Sequence, residues 1–236
     1  MKKVFLFTIG VLFLFQGCKM TNNPRVIIKQ TQKKINGLST VQYDLTSRVK
    51  HFGSGDTLII KASAYCQKTK NDNFMGYRLN LAFPGKNYIY NPPFLYQINP
   101  EKNEILKIHA YKHQAIISND TLFNEAIFYD LLYPDLYMDS QQEDFVVELL
   151  NETNDHWNIK ISYPPEPNVD EISKSLQIRK DLFLPDKMTY RVNYKGEIYY
   201  KMIEIKRLNV NKPLKGNRFT VDKYIKDYPL KNYIPG

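Results

Sequence analysis

The strongest constraint on this chain is a two-residue alternation of apolar and polar side chains that recurs between Val41 and Ile205. Val41, Tyr43 and Leu45 alternate with Gln42, Asp44 and Thr46. After Gly53-Ser54-Gly55-Asp56 the pattern resumes, with Leu58, Ile60, Ala62, Ala64 and Cys66 set against Lys61, Ser63 and Tyr65. Successive strand residues point to opposite faces, so such a run buries one face and wets the other. Met75, Tyr77, Leu79, Leu81 and Phe83 repeat it after the polar stretch 68–73, and Pro84-Gly85 turns the chain. Shorter runs cover Tyr88 to Tyr90, Phe94 to Ile98 and Ile105 to His109. Five more strands are predicted over Phe145 to Leu150, Trp157 to Tyr163, Leu176 to Phe183, Met188 to Tyr194 and Ile198 to Ile205, with turns at Leu184-Pro185-Asp186 and Tyr194-Lys195-Gly196-Glu197. Strand following strand across short turns predicts an antiparallel meander with one buried face. Abundant tyrosine (18) and phenylalanine (13) beside only 10 glycines suit long, half-buried strands.

Two segments break this rhythm. Pro24 follows Asn23 as a first helical position follows a cap, and Val26, Ile27, Thr31, Ile35 and Leu38 recur at helical spacing up to Gly37, which is placed to end the helix. This helix is expected to lie across one face of the sheet. From Asp120 to Leu132, Leu122, Phe123, Ala126, Ile127 and Leu131 fit a second helix capped by Asp120 or Thr121 and ended by Tyr133-Pro134-Asp135.

The amino terminus reads as an export signal. Lys2 and Lys3 precede an apolar run, Val4 to Phe15, that is too short to span a bilayer permanently. Leu14-Phe15-Gln16-Gly17-Cys18 resembles a bacterial lipobox, which implies removal of residues 1–17 and lipidation of Cys18; a plain secretory signal cleaved nearby is the alternative. Residues 18–23 then form a polar tether, and 24–236 a single domain large enough for a substantial core. With Cys18 lipidated, Cys66 is the only remaining thiol and no disulfide forms within the chain; its place in the alternation makes it a small buried side chain, not a nucleophile. Without Lys2 and Lys3 the net charge is near +7 and dispersed, which suits an anionic membrane surface; nucleic acid is excluded as a partner by export.

The order of elements and several short stretches resemble the LolA/LolB-like superfamily of periplasmic lipoprotein carriers and outer-membrane lipoprotein receptors, in a Bacteroidetes-type lipoprotein form. The stretches are Asp155-His156-Trp157-Asn158-Ile159, Leu182-Phe183-Leu184-Pro185-Asp186-Lys187-Met188, Lys206-Arg207-Leu208-Asn209-Val210-Asn211 and Phe219-Thr220-Val221. The resemblance implies a mainly β (α+β) fold, a curved antiparallel incomplete barrel with helices over its open face and an apolar cavity for acyl chains between them. It also implies an exposed apolar loop between two early strands, where Phe74 and Met75 stand, although these two residues equally suit the start of the next strand. Relatives carry such a domain ahead of a thioredoxin-like one; here the chain ends at Pro235-Gly236 with no Cys-x-x-Cys, so any redox role belongs to a partner.

Catalytic and metal signatures are not expected. His109 and His113 lack a third ligand within motif distance, and Asp130, Asp135, Asp139, Glu143 and Asp144 read as a solvated acidic stretch. No Gly-x-Ser-x-Gly elbow or phosphate-binding glycine loop is present. The expectation is therefore a non-enzymatic, cofactor-free, monomeric envelope protein. It is held to the outer membrane, facing the periplasm, through Cys18, and binds acyl chains, a lipoprotein or another hydrophobic ligand. The rival is a structural or protein-interaction module with a solid interior, one whose partner includes a thioredoxin-like protein.

Overall fold

The computed structural model describes residues 23–133, 144–164, 166–214 and 216–234. The signal segment, Cys18, most of the tether, and Asp135, Asp139 and Glu143 lie outside these residues. The first helix, α1 (Pro24–Asn36), starts as its sequence predicts: the Asn23 side chain accepts from the Arg25 amide at 3.0 Å and Pro24 occupies the first turn. Its buried stripe is Ile27, Ile28, Thr31 and Ile35, so Val26 is the residue left in solvent. Gly37 closes the helix with right-handed torsions, its amide donating to the Lys34 carbonyl.

Among the described residues twelve strands follow, and they form one open sheet. They are β1 (Thr40–Lys50), β2 (Leu58–Lys68), β3 (Tyr77–Phe83), β4 (Lys86–Asn91), β5 (Phe94–Asn99), β6 (Glu104–His109), β7 (Val146–Glu152), β8 (His156–Ser162), β9 (Val169–Arg179), β10 (Leu184–Tyr194), β11 (Glu197–Val210) and β12 (Leu230–Asn232). Their order is β12-β6-β5-β4-β3-β2-β1-β11-β10-β9-β8-β7. Two meanders are thus joined where β1 pairs β11, with Lys50 opposite Tyr200 and Leu45 opposite Ile205. All pairs are antiparallel except the last: β12 runs parallel to β6, Leu230 beside Ile105, so the sheet is mixed.

The central helical segment departs from the expected single helix. It is three short pieces, α2 (Gln114–Ser118), α3 (Thr121–Glu125) and α4 (Tyr129–Leu132). Asp120 caps α3, its Oδ1 accepting from the Phe123 amide at 3.0 Å. A continuous helix would need the Phe128 amide to bond back to Asn124. That amide instead donates to the buried Tyr43 hydroxyl at 3.1 Å, so a tertiary acceptor takes the proton and the helix restarts.

Helices α1 to α4 cover the sheet face bearing Tyr43, Cys66, Tyr77, Leu79, Leu81, Tyr88 and Tyr90, all buried. The other face is not uniformly wet, contrary to the one-faced expectation. Ile89, Ile98 and Ile105 form a second small core under Val221, with Tyr224 and Tyr228 packed on it, the first of these on α5 (Asp222–Ile225). Cys66 is fully buried and burial pushes its thiol up to about 12, as befits a packing residue. The native protein is therefore expected to leave Cys66 unreacted with Ellman's reagent at pH 8 and to expose it in guanidinium; rapid native labelling at Cys66 would contradict this packing.

Candidate functional site

Phe74 and Met75 neither protrude nor start a strand. They lie in the turn before β3, with Met75 buried and Phe74 half-buried against the core. Asp72 draws them inward. Its carboxylate accepts from the Phe74 and Met75 amides at 3.2 and 3.1 Å, and from the Tyr90 and Tyr111 hydroxyls at 2.8 and 2.6 Å. Burial raises the acid's pKa, but these four donors outweigh it and hold Asp72 below the usual aspartate range. The Phe74 ring then meets Tyr90 and Tyr111 edge-on, with centroids 5.8 and 6.1 Å away.

Helices α2 to α4 approach this turn from the other side. Between them lies a cleft of about 460 Å³, open on one side and lined by Phe74, Met75, Ile117, Phe123, Tyr129 and Tyr133, with Ser118 and Asn124 at its polar edge. That volume falls within the ~300–1,000 Å³ of ordinary small-molecule sites. Both tyrosine hydroxyls of its wall are engaged within the protein: Tyr133 donates to the Met75 carbonyl at 2.7 Å, and Tyr129 to Asn124 Oδ1 at 3.0 Å. What remains for a guest is mostly aromatic and aliphatic wall.

The helices that form this wall are held to the sheet by tyrosines and ion pairs. Tyr77 donates to the Leu132 carbonyl at 2.9 Å, and Tyr88 and Gln97 both donate to Asp120, at 2.8 and 3.0 Å. On the far side of the inner face, Lys174 of β9 meets Asp130 of α4 at 2.7 Å, and Lys201 of β11 meets Glu125 of α3 at 2.6 Å. Asp130 is thus buried and paired, which corrects its reading as part of a solvated stretch. Burial alone would lower the Lys174 pKa; the Asp130 carboxylate more than offsets this and raises it. The two lysines had a sequence signal. Each takes an inward position in an alternating run, Lys174 between Ile172 and Leu176, and Lys201 between Tyr199 and Ile203. Asp72 had only its position two residues ahead of Phe74, in a stretch that reads as a polar loop.

Elsewhere, His156 Nε2 lies 2.9 Å from Asp186 in a polar cleft of about 590 Å³. The neighbouring charges pair with each other, Arg179 with Asp181 and Lys180 with Glu152, which describes an ion network and not a nucleophile with its base. His109 sits among the rings of Phe94 and Tyr111, and His113 packs on Tyr233. Among the described residues no three His, Cys, Asp or Glu side chains converge as a metal site, and no helix is long and apolar enough to cross a membrane.

No family model and no curated protein matches the chain. Solved structures do. A DUF1329 family protein from Desulfovibrio piger is 12% identical over 85% of this chain and 98% of its own, with a TM-score of 0.39. LprF from Mycobacterium bovis is 11% identical over 84% and 97%, with a TM-score of 0.46. A LolA superfamily protein from Nitrosomonas europaea is 10% identical over 85% and 98%, with a TM-score of 0.37. The described strands form an open sheet with α1 to α4 over one face. At this distance no ligand, activity or partner carries over to this chain.

Proposed function

We propose that this protein is a non-catalytic envelope lipoprotein, anchored through Cys18, that holds an acyl chain or a similar apolar group in the cleft between the Phe74-Met75 turn and helices α2 to α4. The observation that carries this reading is the chemistry of the cleft: aromatic and aliphatic walls, with the hydroxyls of Tyr129 and Tyr133 already hydrogen-bonded inside the protein. Such a surface selects by apolar burial, at about 0.8 kcal/mol per methylene removed from water, and needs no charged contact. The guest is placed at this mouth, where aromatic and aliphatic side chains supply most of the wall. The expected lipid anchor, single domain, monomeric state and placement on the periplasmic side of the outer membrane belong to the same proposal.

The test is native mass spectrometry with organic extraction of the purified protein, together with titration of a fluorescent fatty acid. Ser118 is exposed at the rim and contributes nothing to the core, so Ser118→Trp should fill the mouth without unfolding the protein. Loss of roughly tenfold or more in probe affinity with an unchanged melting temperature is expected, since several methylenes would be excluded. No co-purifying lipid, and equal probe binding by both proteins, would reject the cleft as a lipid site and leave the interaction module as the better account.

A further inference from the structure

We infer that one end of the sheet is a membrane-docking face, where the tips of the β1-β2 and β10-β11 hairpins rest on a phospholipid surface. The strand registers define that end. Val146 of β7 lies opposite Ser162, Ser162 opposite Ser173, Ser173 opposite Arg191, Arg191 opposite Tyr200, and Tyr200 opposite Lys50. Beyond this row project the 51–57 loop and the tight Lys195-Gly196 turn.

Apolar side chains gather here. Of the eleven exposed large apolar side chains among the described residues, Phe52, Leu58, Ile59 and Tyr194 lie at or beside the two hairpin tips, with Val26 and Val146 at the far end of the row. Phe52 is 45% exposed and Ile59 56%. The tips also brace one another: the Phe52 ring lies 6.3 Å from Tyr194 and 5.8 Å from Tyr199, joining the two hairpins into one aromatic surface. Folding gains nothing from leaving these side chains in water, and such a cluster marks a surface that meets something apolar.

The position of the amino terminus identifies the occupant. Arg25, in the first turn of α1, hydrogen-bonds the Phe145 carbonyl, one residue before Val146 in the same row. Helix α1 then runs toward the opposite end, where Leu38 meets Leu182 and Leu184. The segment leading back to residue 18 therefore leaves the fold at the hairpin-tip end. Residues 19–23 span at most ~18 Å when extended, so a lipid on Cys18 keeps this end against the bilayer. Lys50 and Lys195 stand among Asp56, Asp170 and Glu197, so this end is not a cationic surface, and apolar insertion, not net positive charge, makes the contact. Aromatic rings with one polar edge suit the headgroup boundary.

The direction of docking rests on the Cys18 anchor proposed above, but the patch is tested independently of it. The full chain is purified with whatever modification it carries, as Phe52→Trp and, separately, as Lys70→Trp in the exposed β2-β3 turn at the opposite end. Each is mixed with phosphatidylethanolamine and phosphatidylglycerol vesicles containing acyl-brominated lipid. Bromine quenching should be strong for the tryptophan introduced at position 52 and weak at position 70, and should persist in high salt. The buried Trp157 supplies a constant background. Phe52→Ser with Leu58→Ser should weaken vesicle partition of protein lacking the lipid by roughly tenfold or more. Equal quenching at the two positions, or self-association of the wild-type protein that the double serine variant abolishes, would overturn the docking face. The mass of Cys18 separately reports whether the anchor exists.

Discussion

Asp72→Asn is expected to lower unfolding stability at pH 7 by about 3 kcal/mol, with hydrogen bonds to a buried charge worth ~1.5–3 kcal/mol each and not additive. The amide keeps one acceptor oxygen, yet it turns a second donor toward the Met75 amide, which now bonds Oδ2 at 3.1 Å. The Tyr90 and Tyr111 hydroxyls lose a charged acceptor, and the turn that holds Phe74 and Met75 loosens with them. The pH dependence gives this loss a signature. The folded-state pKa of Asp72 is depressed below the ordinary 3.8, so its contribution is fully present above that value and fades as pH falls through the folded one. Urea midpoints of wild type and variant should therefore differ widely at pH 7 and draw together as the pH is lowered below 3.8. A constant gap across that range would show that Asp72 acts by packing alone. Since Phe74 and Met75 line the cleft, the variant should also bind the fatty-acid probe more weakly, even under conditions where it is fully folded.

Lys174→Met should cost more, about 3–5 kcal/mol, because removing one member of a buried ion pair leaves the other charge in a low-dielectric site. The ammonium lies 2.7 Å from Asp130 on α4, and both side chains are nearly sealed from water. Adding Asp130→Leu is expected to recover most of the loss, since an apolar pair carries no desolvation penalty. The raised pKa of Lys174 keeps its contribution fully present below the ordinary 10.5, so the single variant should be equally destabilised at pH 6 and pH 8. Thermal unfolding of the two variants decides the matter: a double variant no more stable than the single would mean that the pair's worth lies in its hydrogen bonds and not in its charges.

The strands were legible because burial of one sheet face imposes a period of two that survives in the sequence, from Val41-Tyr43-Leu45 to Ile203-Ile205. The start of α1 was legible for a similar local reason, Asn23 and Pro24 being chemically suited to a helix end. The Asp120 cap belongs with them, and so does the burial of Cys66. Each of these is written in residues no more than three apart along the chain.

What the sequence left open depends on residues far apart. The break between α3 and α4 was set by Tyr43, 85 residues before Phe128, and the inward fold of Phe74 and Met75 by Tyr90 and Tyr111 reaching Asp72. The pairing of Lys174 with Asp130, the outer core under Val221 and the gathering of Phe52 with Tyr194 likewise join separate strands and helices. By itself the sequence determined the long strands, the start of α1 and the face that β1 to β3 turn to the main core, because backbone periodicity and capping act over a few residues; it did not give β12, α5, the start of β10 at Leu184 or the second core. Which polar groups meet, how much of the interior is filled, and which exposed side chains share one end of the sheet were decided only by the tertiary structure. Hydrogen bonds, ion pairs and apolar contacts act over a few ångströms in space, and no local pattern records which distant residue will arrive there.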